Sequence, residues 1–333
     1  MQRIFITGGT GFFGKSILDY RLCHPEFLAD AEITILSRHP DAFVAANPKL
    51  AQQPGIRFVA GDVRTFSTTD FTDYTDCSAP QVHDPCNPCN PWFHAPRFDT
   101  VIHAATAAVT TLTDDEMYST IVDGTRNVLS FAKACGAKRL LFTSSGAVYG
   151  PQTAAVDENT STNPANAYGR GKLEAERMCI DSGIPTCIVR CFAFTGPYLN
   201  RRIHFAIGNF IQNCLDNQPI VIKGDGTPLR SYLYADDLVE WLFAILERGE
   251  PGRPYNVGSP HGLSIRELAE TVRTALGTHN DIIVQGAPQT LKPSNLQTLK
   301  PSTYVPIVTR AETELGLAVK VPLADAIRKS AES

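Results

Sequence analysis

The sequence predicts an α/β protein: a doubly wound parallel sheet with helices on both faces, followed by a smaller C-terminal lobe that faces substrate. Short β-branched runs alternate with stretches of helical length through the first half of the chain, and that alternation builds a parallel sheet covered on both sides. The runs are apolar throughout instead of alternating with polar residues, as strands buried on both faces are. A glycine-rich turn joins the first run to the first helical stretch.

The elements follow in order. Arg3-Ile4-Phe5-Ile6 is the first expected strand, and a helix is expected over residues 14–22. Ile33-Thr34-Ile35-Leu36 and Ile56-Arg57-Phe58-Val59 are the second and third strands, and Thr100-Val101-Ile102-His103 is the fourth. A helix is expected over residues 117–135, and Arg139-Leu140-Leu141-Phe142-Thr143 is the fifth strand. Beyond about residue 175 the rhythm loosens, with Gly-, Pro- and Asn-rich loops between residues 184–190, 205–215 and 236–246. The boundary is therefore expected to give a nucleotide-binding domain at 1–175 and a substrate lobe at 176–333, some of whose elements return to the sheet. One stretch, CSAPQVHDPCNPCNPWFHAP from Cys77 to Pro96, has no period and reads as an exposed insertion. It holds Cys77, His83, Cys86, Cys89 and His94, but a zinc site needs a second CxxC pair beside Cys86–Cys89 and none exists. The expectation is a surface insertion with no metal.

Composition excludes several classes. Thirty basic and 34 acidic side chains give a net charge of −4 with no basic run, so neither nucleic acid nor an anionic bilayer is an expected partner. No apolar stretch reaches the roughly 18 residues a membrane span needs. MQRIFITGG leads straight into a strand, without a charged-then-apolar leader. Nine cysteines, an odd number on a long chain, fit a reducing cytosol and point to a cytoplasmic protein.

The turn Thr7-Gly8-Gly9-Thr10-Gly11-Phe12-Phe13-Gly14 has the pattern TGxxGxxG between a strand and a helix. Gly8 permits the tight turn, Gly11 lets backbone approach a pyrophosphate, and Gly14 allows close helix–strand packing. The N–H groups at Phe12 and Phe13 then open the helix toward the phosphates, where its dipole is positive. This is a Rossmann-type dinucleotide turn in its confirming context. After the second strand stand Ser37-Arg38 and no carboxylate. An acid there binds the ribose 2′-OH of NAD, whereas Arg pairs with the 2′-phosphate of NADP. NADP is the preferred cofactor, with NAD the alternative if Arg38 only stacks on adenine.

Tyr168 and Lys172 lie four apart in NAYGRGKLEAE and share a helical face. An ammonium beside a phenol favours phenolate, drawing its pKa down from ~10 toward proton-transfer use. Thr143-Ser144-Ser145-Gly146-Ala147-Val148-Tyr149-Gly150 ends the fifth strand, where open α/β sheets place their sites, and Ser145 can hydrogen-bond the substrate oxygen that Tyr168 serves. His103 ends a buried strand and is expected to be a packed structural histidine. Arg201, Arg202 and His204 form a loop that either meets substrate or is solvated.

Together these residues resemble the extended short-chain dehydrogenase/reductase family, in its nucleotide-sugar epimerase/dehydratase branch, over nearly the whole chain. Gly61-Asp62-Val63 resembles the adenine-contacting GD[VI], and His103-Ala104-Ala105 the HxAA strand end where small residues admit the cofactor. Arg190-Cys191-Phe192 with Gly196-Pro197 resembles RxFNxxGP, Gly224-Asp225-Gly226 with Arg230 resembles GDGxxxR, and Tyr255-Asn256-Val257-Gly258 resembles YNVG. The resemblance implies an enzyme that uses NAD(P) to oxidise or reduce a sugar carbon, commonly C4, of a nucleoside-diphosphate sugar. It implies Tyr168 as acid/base, Ser145 as hydroxyl partner, Lys172 as ribose ligand and phenol-tuning group, and Arg230 as phosphate ligand. It also implies a homodimer through helices near 124–135 and 173–182, where Ala132, Ala134 and Ala175 supply small residues.

Three departures stand out. Family 4,6-dehydratases follow the catalytic hydroxyl with Asp-Glu, but here Gly146-Ala147 cannot move a proton. Ile121 stands for the Asn of NVxGTxN, and Ala193 for the Asn of RxFN, leaving a polar contact unmade. A C4 epimerase and a 4-keto reductase remain nearly even, a 4,6-dehydratase ranks third, and a silent NAD(P)-sensing protein is the reading from a different class.

Overall fold

The structure is a computed structural model that describes residues 2–71, 82–83, 92–93, 96–106, 112–203, 205–286 and 302–332. Its main sheet has seven strands: β1 (Arg3–Thr7), β2 (Glu32–Ser37), β3 (Ile56–Ala60), β4 (Thr100–His103), β5 (Arg139–Ser145), β6 (Thr186–Cys191) and β7 (Pro254–Val257). Their order is β7-β6-β5-β4-β1-β2-β3. The pairs β1–β2, β1–β4, β2–β3 and β4–β5 all run parallel. The Rossmann-type doubly wound sheet is thus present, and the five strands read from the sequence are its first five. β4 matches its expected bounds, while β5 continues to Ser145. The chain leaves β1 toward β2 on one side and returns to β4 on the other, and such a reversal opens a crevice at the carboxyl ends of the strands.

The chain divides into two compact units. The first comprises Met1–Ser144, Asn166–Ile188 and Gly249–Arg253; the second comprises Ser145–Ala165, Val189–Arg248 and Pro254–Ser333. In the first unit, α1 (Phe12–Cys23) follows the glycine turn, and α2 (Asp114–Ala134) and α3 (Ala167–Asp181) pack on each other. A reciprocal box starts α2, with Thr113 accepting from the Glu116 N–H and Glu116 from the Thr113 N–H. The Asn166 side chain caps α3 by accepting from the Gly169 N–H. Ile121, the departure noted above, is core: a Cβ built on Gly171 would lie 3.3 Å from its side chain, so glycine lets α3 sit close to α2. Ala132 and Ala175 are fully buried within this unit, whereas Ala134 is exposed. Four phenylalanines bind the sheet to α2, with Phe131 against Phe5, Phe66 and Phe98 at centroid distances of 4.6, 4.9 and 5.9 Å.

In the second unit, α4 (Ala206–Leu215), α5 (Ala235–Arg248) and α6 (Ile265–Ala275) accompany small sheets. Leu229–Arg230 runs antiparallel to Leu263–Ser264 and parallel to Thr303–Tyr304. Ile207, Phe210, Ile211, Leu268, Ala269, Val272 and Ile327 form a separate core. Of the stretch 77–96, the described residues are Val82–His83 and Trp92–Phe93, which pair antiparallel, and Pro96; the rest lies outside them.

Candidate active site

In the first unit the glycine turn forms a cradle at the carboxyl end of β1. Gly8 has φ +76°, and a Cβ there would lie 2.5 Å from the Ala104 carbonyl atoms and 2.6 Å from the Ala105 nitrogen. Only glycine fits, because both the left-handed backbone and the space exclude a side chain. The Gly11 N–H bonds the Gly8 carbonyl at 3.0 Å, tightening the turn. Gly11 then caps α1 with no side-chain bond, and the first turn of α1 has no acid. The N–H groups of Phe12, Phe13 and Gly14 therefore open a positive helix end, without a competing carboxylate in that turn, beside a glycine-lined approach. These residues fit a dinucleotide pyrophosphate.

His103 lies beneath the turn, 3 % exposed. Its Nδ1 is 2.7 Å from Thr7 Oγ1 and its Nε2 3.1 Å from Thr125 Oγ1. Burial, and then the charge of Lys172, push its pKa down to about 3. Both nitrogens are held by hydroxyls, so His103 is a neutral strut, as the sequence reading expected.

At the ends of β2 and β3 the register pairs Ser37 with Ala60. Ser37 is buried and its hydroxyl accepts the His39 N–H, while Arg38 is exposed. Asp62 is held by Arg64 through two side-chain bonds of 3.0 Å and one from the backbone N–H at 2.9 Å. That pairing, more than the weaker field of Arg38, holds the Asp62 carboxyl below the usual range. Val63 packs under α2, where a Cβ on Gly124 would lie 3.1 Å from it.

Tyr168 and Lys172 share the buried face of α3. Lys172 is only 1 % exposed; its Nζ donates to the Thr143 carbonyl at 2.7 Å and stands 5.9 Å from the centre of the Tyr168 ring and 5.0 Å from that of Phe142. One turn further along, buried Glu176 accepts the Ser144 hydroxyl. Sequence reading missed Glu176, although its place four residues past Lys172 marked it as the next residue on that face.

In the second unit, Ser145 caps a short turn by accepting the Ala147 N–H at 3.1 Å, and its hydroxyl lies 3.4 Å from that of Tyr304. Tyr304 donates to the Cys191 carbonyl at 3.3 Å and packs on Phe192. A Cβ on Gly146 would stand 2.9 Å from the Phe192 ring and 3.0 Å from the Tyr304 oxygen. Arg230 is the strand partner of Tyr304, and its guanidinium donates to the carbonyls of Leu229 and Ser302 at 2.7 and 3.1 Å. The unit thus brings Ser145 and Arg230 to one neighbourhood through Tyr304. Sequence reading had no signal for Tyr304, which lies 159 residues from Ser145. Ala193 packs against the core around α4 and α6. Arg201 is turned inward to the Ser330 carbonyl, Arg202 is exposed, and His204 lies outside the described residues.

Comparisons with known proteins agree with this picture. Residues 4–258 match the family model described as the NAD dependent epimerase/dehydratase family. UDP-glucuronic acid decarboxylase 6 of Arabidopsis thaliana is 30% identical over 267 residues, covering 71% of this chain and 74% of that protein. A UDP-glucuronic acid 4-epimerase from Bacillus cereus in complex with NAD superposes with a TM-score of 0.78 at 20% identity, covering 99% of this chain and 98% of that one. A dTDP-glucose 4,6-dehydratase from Bacillus anthracis in complex with NAD gives 0.78 at 19% identity, covering 100% and 96%. At such identities the structural likeness speaks for the fold, and chemistry must be argued from the residues. Among the described residues, no helix is long and apolar enough to cross a membrane.

Proposed function

Because this chain belongs to the NAD dependent epimerase/dehydratase family, we propose that it moves a hydride between NAD(P) and a sugar carbon, C4 in this reading, of a nucleoside-diphosphate sugar. The observation that carries the reading is the buried Lys172 held beside Tyr168 by the Thr143 carbonyl. A lysine is buried so completely only where its charge is used or paired, and here that charge stabilises a phenolate. The bound dinucleotide supplies the acceptor and donor of hydride. Tyr168 takes the proton of the sugar hydroxyl as the carbon is oxidised and returns it on reduction. In this reading Lys172 also serves the nicotinamide ribose as a hydrogen-bond donor. Ser145 donates to a sugar oxygen, and Arg230 holds a substrate phosphate.

Epimerisation and 4-keto reduction both use this set. Gly146 and Ala147 offer no titratable group, which places 4,6-dehydration third. For the cofactor, the absence of an acid after β2 and the exposed Arg38 favour NADP over NAD. We also propose a homodimer through α2 and α3, whose exposed Tyr118 and Ile180 are apolar area for a partner copy. The free thiols of the described cysteines suit the reducing cytosol.

The test begins by releasing the dinucleotide from purified protein and identifying it, then titrating apo-protein with 2′,5′-ADP and 5′-AMP. Tighter binding of 2′,5′-ADP is expected, and equal binding removes the NADP assignment. Turnover of a panel that includes UDP-glucose and UDP-glucuronic acid is then compared with that of Tyr168→Phe. Loss of turnover by a factor of about 100 or more is the expected cost of removing the acid/base; unchanged turnover overturns the enzymatic reading in favour of a silent sensor.

A further inference from the structure

Resting on the role proposed for Ser145, we infer that Tyr304 is a positioning residue that sets where the Ser145 proton points. A hydroxyl has one proton and two lone pairs. The Tyr304 proton goes to the Cys191 carbonyl, so its oxygen is left to accept from Ser145, 3.4 Å away. Ser145 already accepts from the Ala147 N–H. In this arrangement the serine proton is parked on the phenol and is unavailable to a sugar.

The geometry offers one economical alternative. If Tyr304 turns its O–H from Cys191 to Ser145, the serine oxygen accepts twice, from Ala147 and Tyr304, and its own proton is released toward the sugar oxygen. No bond to a heavy atom is made or broken, and each hydroxyl keeps its proton. A donor that is itself accepting two hydrogen bonds is polarised and donates more strongly. Arrival of the sugar oxygen selects this state, because only then does the serine proton have an acceptor to reward it.

The rest of the neighbourhood is shaped to keep the phenol there. The Tyr304 ring lies against Phe192 with centroids 4.8 Å apart, and its strand is pinned to Leu229–Arg230. Residue 146 can carry no side chain without meeting the Tyr304 oxygen and the Phe192 ring at about 3 Å. Gly146, which costs the chain a possible proton-moving group, is thereby explained as the vacancy that admits a phenol from a distant segment.

The test is a double-mutant cycle on the member of the nucleotide-sugar panel that wild type turns over fastest. Tyr304→Phe keeps the ring and removes only the oxygen. It is expected to lower kcat about tenfold, the rate equivalent of one hydrogen bond, with KM and dinucleotide affinity little changed. In a Ser145→Ala background the same change is expected to cost less than twofold, because there is no serine proton left to direct. A purely structural role would cost equally in both backgrounds, and that result, or an unchanged kcat in Tyr304→Phe alone, overturns the inference while leaving the Tyr168 reading intact. Absence of turnover across the whole panel, or full turnover by Tyr168→Phe, removes the underlying reading and the inference with it.

Discussion

Replacing His103 with Gln tests whether this residue is a strut or a titrating group. In the folded chain its pKa is pushed down to about 3 from 6.5, first by burial and then by Lys172. The unfolded chain therefore binds a proton here below pH 6.5 that the folded chain refuses until about pH 3. Stability consequently falls as pH drops through that window, by about 1.4 kcal/mol per pH unit at most, and is unaffected by His103 above it. From pH 6.5 to 4.5 the loss is about 2 kcal/mol, because at pH 6.5 the unfolded imidazole is only half protonated. Carboxylates titrate in the same region, but they are common to wild type and His103→Gln, so the difference between the two isolates the imidazole. The amide of Gln can still donate to one threonine and accept from the other, which preserves the bonds to Thr7 and Thr125. Urea unfolding of both proteins at pH 7.5, 6.5, 5.5 and 4.5 is the assay. Wild type should lose more stability than the variant below pH 6.5, the gap widening with acidity. Parallel curves would refute the buried neutral histidine.

Two further outcomes are expected. Gly8→Ala forces a side chain into a left-handed backbone, worth about 1–2 kcal/mol, and drives its Cβ into the backbone at Ala104; dinucleotide affinity by calorimetry should fall about tenfold or more, and wild-type affinity would show that the cradle is not the binding turn. Phe131→Ala removes the ring shared by Phe5, Phe66 and Phe98; it should cost about 3–5 kcal/mol in urea unfolding, and a loss below about 1 kcal/mol would mean this cluster does not hold α2 to the sheet.

Much of the first unit was readable because its signals are local. Glycines at 8, 11 and 14 mark a turn whose neighbours are adjacent in the chain, and Tyr168 and Lys172 stand four apart on one helical face. Helix ends drifted by a few residues because fraying and capping, not periodicity, set them: the expected 117–135 became Asp114–Ala134 once Thr113 and Glu116 closed the capping box. Ile121 stood out only as a departure from the Asn of NVxGTxN. In the fold it is the residue on which Gly171 of the Tyr–Lys helix rests.

The alternation of apolar runs with helical stretches determined the parallel sheet by itself, since burying both faces of such strands leaves few other arrangements. The glycine turn determined the sharp exit from β1, since only a residue without Cβ tolerates the left-handed backbone and close packing at Gly8. What only the tertiary structure decided is what surrounds each polar group: that His103 is locked between Thr7 and Thr125, that Asp62 is spoken for by Arg64, and that a phenol from residue 304 fills the space above Gly146. Spacing along the chain encodes which face of an element a residue occupies. The partners that orient a proton come from strands and loops far apart in sequence, and packing alone brings them within hydrogen-bond range.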